Sequence, residues 1–100
     1  MKFEQLSIPD VILIKPNIFE DDRGYFFESF HSQKIYESIS QINSSYWPPH
    51  QSDFFQENIA FNKGKNIVRG LHFQKNQQQG KLVRVTNGKV LDVVVDNRRG

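Results

Sequence analysis

The 100-residue sequence predicts an all-β domain in the main, a sandwich or barrel, with one short helix. Three observations predict it. Short runs rich in Val, Ile, Phe and Tyr follow one another along the chain. The dipeptide Asn87-Gly88 sits between two such runs. Helical spacing is carried by Ile35, Tyr36, Ile39 and Ile42, in a stretch where the other runs read as strands. The length allows a single domain, 1–100.

Taken in order, Val11–Ile14 reads as a strand stopped by Pro16. Asp21-Asp22-Arg23-Gly24 is a turn, because Asp bonds its own backbone and Gly takes positive φ. Tyr25–Phe30 is a β-rich run with Glu28 inside it. Ser32 is the expected N-cap of a helix over 33–42. Residues 43–53, with Pro48-Pro49, read as a loop. Strands are expected at 54–61, 66–73, 81–86 and 89–96, with a turn at Asn62-Lys63-Gly64-Lys65 and a solvated loop at Gln77-Gln78-Gln79. Asn87-Gly88 supplies the two positive-φ positions of a type I′ turn.

Composition narrows the function. Thirteen basic residues against 11 acidic leave a net charge of +2, and the basic residues are scattered, so nucleic acid is not an expected partner. Cys is absent, which excludes disulfides, thiolate metal sites and a cysteine nucleophile. Apolar runs such as Val11–Ile14 and Val93–Val95 fall far short of the roughly 20 residues of a membrane span. The N-terminus lacks the layout of a signal peptide, so a soluble, cytoplasmic protein without membrane partners is expected. Hydrophobic residues at 37%, with 13% aromatics, allow a core, but a small one.

A two-residue turn at 87–88 fixes a register in which Val85 pairs with Val90 and Val83 with Asp92. Lys81 and Asp92 then share a face with Val83, Val85, Val90 and Val94, as diagonal neighbours. If that face is interior, a charged pair sits in an apolar cavity and must pair. The alternative places both near a strand end, in water.

His72, in Arg69-Gly70-Leu71-His72-Phe73-Gln74, has the side chain best suited to proton transfer at neutral pH, although a lone His is more often a satisfied core or surface imidazole. Arg69 points to the opposite face of a regular strand unless Gly70 marks a bulge. No metal ligand pair lies near His72. His31 and His50 read as surface residues, and no bound metal is expected. Phosphate-loop and dinucleotide fingerprints are absent. Arg23, Arg69 and Arg84 are the candidate anion contacts, each with the alternative of a solvated or turn-stabilising Arg.

Four stretches together resemble the dTDP-4-dehydrorhamnose 3,5-epimerase family. They are Ile18–Phe30, Phe55-Gln56-Glu57-Asn58, Val68–Gln74, and Gln79–Val85 followed by Gly88, Val90, Asp92–Asp96 and Arg98. Each is weak alone, but their order and spacing are specific and cover nearly the whole chain. The resemblance implies a cupin-like β-barrel or jelly roll, a homodimer, and no cofactor. It implies a dTDP-4-dehydro-6-deoxy-D-glucose substrate, epimerised at C3 and C5 on the way to dTDP-rhamnose and cell-surface polysaccharide. By resemblance His72 is the base and Lys81 the cation on the enolate oxygen, while Asp92 matches a recurrent acidic barrel position. Arg69, Gln56, Glu57 and Asn58 match substrate contacts, with Arg69 on phosphate, and Arg23 and Glu28 match contacts near or across a dimer interface. The family match also favours the Lys81/Asp92 face as the interior.

Two departures stand out. Glu57 replaces the family's Asp, with Ile59-Ala60 where His-Ser is common, and the loop around Trp47-Pro48-Pro49-His50 is longer than usual. The competing readings are an enzyme that inverts C3 alone or C5 alone, and a non-catalytic sugar-nucleotide-binding cupin. The chain resembles the N-terminal portion of a family member, with the proton donor expected in the other half, so the barrel is expected to be incomplete. The 100-residue chain alone is therefore expected to be unstable or inactive. A sharp cooperative circular dichroism melt together with measured turnover would refute this.

Overall fold

The computed structural model describes residues 1–42, 54, 56–76 and 80–97. The loop expected at 43–53, including His50, and the glutamines at 77–79 lie outside the described residues, as do Phe55 and Arg98. The chain forms two units, Met1–Asn58 and Ile59–Gly100. The regular elements that are described are mainly β: two antiparallel hairpins and one helix.

The first hairpin joins β1 (Lys2–Gln5) to β2 (Ile12–Lys15), with Phe3 opposite Ile14 and Gln5 opposite Ile12. Side chains alternate between faces. Phe3, Ile12 and Ile14 are partly covered on one face, while Lys2, Glu4, Leu13 and Lys15 face water on the other. On that wet face Lys15 Nζ lies 3.2 Å from Glu4 Oε2. The connection is a turn built on Pro9, whose ring presets the φ that the first central position needs. The Val11 N–H donates to the Ile8 carbonyl at 2.9 Å, and the Leu6 N–H to the Val11 carbonyl at 3.0 Å. β1 was not legible in the sequence, because Lys2-Phe3-Glu4-Gln5 has one apolar side chain in four positions.

The second hairpin joins β3 (Ile18–Asp21) to β4 (Gly24–Phe27) through Asp22-Arg23, in the position expected for the turn. Phe19 faces Phe26 across the ladder. Tyr25 and Phe27, two residues apart on one face, stack with centroids 6.1 Å apart. The β-rich run expected to reach Phe30 ends as a strand at Phe27, so Glu28 lies just beyond it. Gly24 closes the turn at φ +140°.

Helix α1 (Ser32–Ile42) lies where the spacing predicts it. Ile35, Tyr36, Ile39 and Ile42 form its covered side, and Ile35 is buried, at 2% exposure. Gln33, Lys34, Glu37 and Gln41 face water. The cap differs from expectation. Ser32 is the first helical residue and His31 is the cap: its Nδ1 accepts the Lys34 N–H at 3.2 Å and its carbonyl accepts the Ile35 N–H at 3.0 Å. The imidazole takes the role usually filled by a short polar oxygen, because a ring nitrogen without its proton is an acceptor at similar reach.

The second unit departs most from the sequence reading. Its described residues carry no strand or helix, so the strands expected at 66–73, 81–86 and 89–96 are not formed, and the described residues of the stretch expected as a strand at 54–61 carry none either. Thr86–Gly88 is a bend, and Gly88 takes φ +92° while Asn87 stays at negative φ, so the type I′ hairpin is absent. The physical reason is pairing and cover. A lone two-stranded ribbon is marginal in water without a third strand or an apolar layer against it. Neither expected hairpin face is covered: Val83 is 68% exposed and Leu91, on the opposite face, 89%.

A substitution tests the second hairpin. A Cβ at Gly24 meets nothing within 4 Å, so Gly24→Ala costs backbone strain and no clash. We expect a loss of about 1–3 kcal/mol in hairpin stability, read as a decrease in amide hydrogen-exchange protection across β3 and β4.

Candidate active site

The candidate residues fall in two places. Arg23, Glu28, Gln56, Glu57 and Asn58 belong to the first unit, and Arg69, His72, Lys81 and Asp92 to the second.

In the first unit Arg23 stands in the β3–β4 turn, held by Asp21. Asp21 Oδ1 accepts the Arg23 backbone N–H at 2.9 Å, and Oδ2 accepts from Nη2 at 2.6 Å and from Nε at 3.2 Å. The guanidinium of Arg23, and then its backbone N–H, hold the Asp21 carboxyl below the usual aspartate range. A shallow depression of about 270 Å³ lies beside this pair, lined by Phe19, Asp21, Arg23, Gly24, Tyr25 and Phe26. Glu28 leaves the end of β4 and meets the first turn of α1, where Lys34 Nζ donates to its Oε1 at 2.7 Å. That hydrogen bond is the main reason the Glu28 carboxyl is held below the usual glutamate range. Gln56, Glu57 and Asn58 are exposed and belong to no helix or strand.

In the second unit Arg69 is held by a neighbouring loop. Its Nε donates to Asn62 Oδ1 at 2.7 Å and its Nη2 to the Phe61 carbonyl at 3.3 Å. Gly70, between Arg69 and His72, lies at φ +110°, where a side chain would be strained. The bulge considered at Gly70 is not formed, because the described residues around it make no ladder. His72, Lys81 and Asp92 are all exposed. The interior placement expected for the Lys81/Asp92 face is not seen: among the described residues no ion pair joins the two, and the four valines beside them are exposed as well. With no layer over that face, water solvates both charges and removes the need to pair.

Asp21, Lys34 and Asn62 are the side chains that sequence reasoning missed. Asp21 had a readable signal, since an Asp two residues before an exposed Arg closes a local turn. Lys34 and Asn62 had none, because their contacts reach six and seven residues along the chain and depend on how the segments fold. Among the described residues no group of three His, Asp or Glu side chains converges as a metal site, and no helix is long and apolar enough to cross a membrane.

The regular elements are mainly β, which sets the class of the chain, and its candidate residues stand in two separate places. Comparison with known proteins makes the assignment specific. The sequence profile of the dTDP-4-dehydrorhamnose 3,5-epimerase family matches residues 5–100, and the chain belongs to that family. A Pseudomonas aeruginosa dTDP-4-dehydrorhamnose 3,5-epimerase is 46% identical over 100 residues, covering 100% of this chain and 50% of the relative. A Salmonella typhimurium relative of the same name is 44% identical over 94 residues, covering 93% and 46%. One from Escherichia coli is 42% identical over 99 residues, covering 98% and 48%. The chain thus spans about half the length of these curated relatives. No solved structure gives a significant match.

The Glu28–Lys34 contact has a pH consequence. A carboxyl whose folded pKa is depressed stabilises the fold above its unfolded pKa and loses that contribution as pH falls through the folded value. The contact is therefore complete at neutral pH and is lost in acid, below the usual glutamate range. We expect Lys34→Ala to move the Glu28 midpoint upward towards that range, measured by carboxyl carbon NMR titration.

Proposed function

We propose that this chain carries the N-terminal part of the site of a dTDP-4-dehydrorhamnose 3,5-epimerase, an isomerase of dTDP-rhamnose biosynthesis. The observation that carries the reading is the family match over residues 5–100, which takes in Arg69, His72, Lys81 and Asp92 together. The substrate is a dTDP-4-dehydro-6-deoxyhexose. Its C4 ketone acidifies the hydrogens at C3 and C5. His72 removes one as a neutral imidazole, the side chain best suited to proton transfer at neutral pH. The electron pair moves into the ketone as an enolate, and Lys81 stabilises the charge that gathers on the oxygen. A proton then returns to the opposite face of the same carbon.

Arg69, Gln56, Glu57 and Asn58 bind the substrate in this reading, with Arg23 and Glu28 contributing from the first unit. Asp92 supports the charged end of Lys81 once the face they share is covered. The reading treats 1–100 as the N-terminal portion of one cupin-like domain, in a cytoplasmic homodimer without a cofactor. The family match supports these assignments, and so do the local contacts that orient Arg23, Glu28 and Arg69.

The test is solvent exchange. The dTDP-4-dehydro-6-deoxy-D-glucose substrate is incubated in deuterated water with this chain, and with this chain joined to the second half of the Pseudomonas relative. Deuterium at both C3 and C5 with the joined protein is the expected result, slowed about 10²- to 10⁴-fold by His72→Asn. Deuterium at one carbon identifies a narrower epimerase. No exchange with either protein, despite binding, overturns the catalytic reading in favour of a binding cupin.

A further inference from the structure

The β3–β4 turn holds its arginine in a particular way. A guanidinium has five N–H donors in a planar fork. Asp21 Oδ2 takes the Nε proton and one Nη2 proton, so the three donors left lie on the far edge, on Nη1 and outer Nη2. That edge is the end-on fork that matches two oxygens of one phosphate. Arg23 is 90% exposed as a side chain, so the fork faces solvent beside the depression that Phe19, Tyr25 and Phe26 line.

Turn closure uses only the backbone half of the clasp, the Arg23 N–H on Asp21 Oδ1, and leaves the bonds from Nε and Nη2 to the guanidinium alone. The hairpin is already closed by the ladder from Ile18 opposite Phe27 to Asp21 opposite Gly24. An exposed ion pair adds little to stability. Orientation is the larger effect, because a long side chain that is fixed beforehand loses less freedom when a ligand binds.

We propose that Asp21 is a positioning residue for Arg23, fixing the guanidinium so that its outer fork meets the diphosphate of the nucleotide-sugar. The proposal rests on the reading above for the identity of the ligand. The Asp21 carboxylate also opposes an anion by its charge, and this gives the test a sign. If only charge mattered, neutralising Asp21 would tighten anion binding. If orientation matters, it weakens it. The lowered pKa of Asp21 keeps the clasp charged throughout the neutral range.

The experiment is calorimetric titration of the full chain with thymidine 5′-diphosphate, for the wild type, Asp21→Asn, Asp21→Glu, Arg23→Ala and the Asp21→Asn/Arg23→Ala double variant. Ring-proton shifts of Tyr25 and Phe27 check that the hairpin is kept, and Asp21→Glu preserves the charge while displacing the clasp. We expect each Asp21 variant to weaken binding about 2- to 10-fold, the range for ordering one long side chain on binding. The double variant should bind no worse than Arg23→Ala, since Asp21 acts through Arg23. Unchanged or tighter binding by Asp21→Asn, with binding weakened by Arg23→Ala, overturns the proposal and leaves the ligand reading standing. Unchanged binding by Arg23→Ala, or no binding by the wild type, removes the ligand from this position and overturns the proposal through the reading it rests on.

Discussion

Backbone hydrogen-bond pairing is the constraint on which the rest of this structure depends. Every N–H and C=O taken from water must find a partner. In the first unit the partner is always the next segment in sequence: β1 finds β2 across the Pro9 turn, and β3 finds β4 across Asp22-Arg23. Two-stranded ribbons are marginal alone, so small additions matter: the Tyr25–Phe27 stack and the edge-to-face contact of Phe30 with Phe54, whose centroids are 6.3 Å apart. In the second unit no such ladder forms among the described residues, and apolar side chains such as Ile59, at 91% exposure, and Val68, at 88%, face water.

The charged side chains follow a local rule of their own. Arg23 is held by Asp21, Glu28 by Lys34 and Arg69 by Asn62, each partner lying within seven residues. Exposed pairs of this kind contribute little to stability. Their effect is to limit the rotamers of long side chains, and that is worth more to a ligand than to the fold. The two depressed carboxyls, Asp21 and Glu28, have the same origin: a cation donating directly to the carboxylate, with burial acting in the opposite direction.

Family membership and tertiary arrangement rest on different kinds of information. The match across residues 5–100 runs through both units, including stretches that carry no strand. The residues proposed to act, Arg69, His72, Lys81 and Asp92, all lie within the matched span. The roles proposed for them, base, oxyanion cation and phosphate ligand, each need a particular functional group. They act together only when a scaffold brings them within hydrogen-bond reach of one substrate.

The helix over Ser32–Ile42, the β2 strand and the turn at 21–24 were legible in the sequence, because each is set by neighbours a few positions away: apolar spacing, a following Pro, or an Asp beside a Gly. The candidate residues were taken from the order of residue types in the family resemblance, and their roles are proposals. Tertiary structure alone decided that His31 rather than Ser32 caps the helix, that Lys34 takes Glu28, and that Asn62 takes Arg69. It also decided that no strand forms over 83–95 and that its valines are exposed, despite the Asn-Gly signal. The reason is common to all of these. Spacing along a chain determines which conformations a segment favours, but a strand, a cap or an ion pair forms only where another group stands within bonding distance and displaces water.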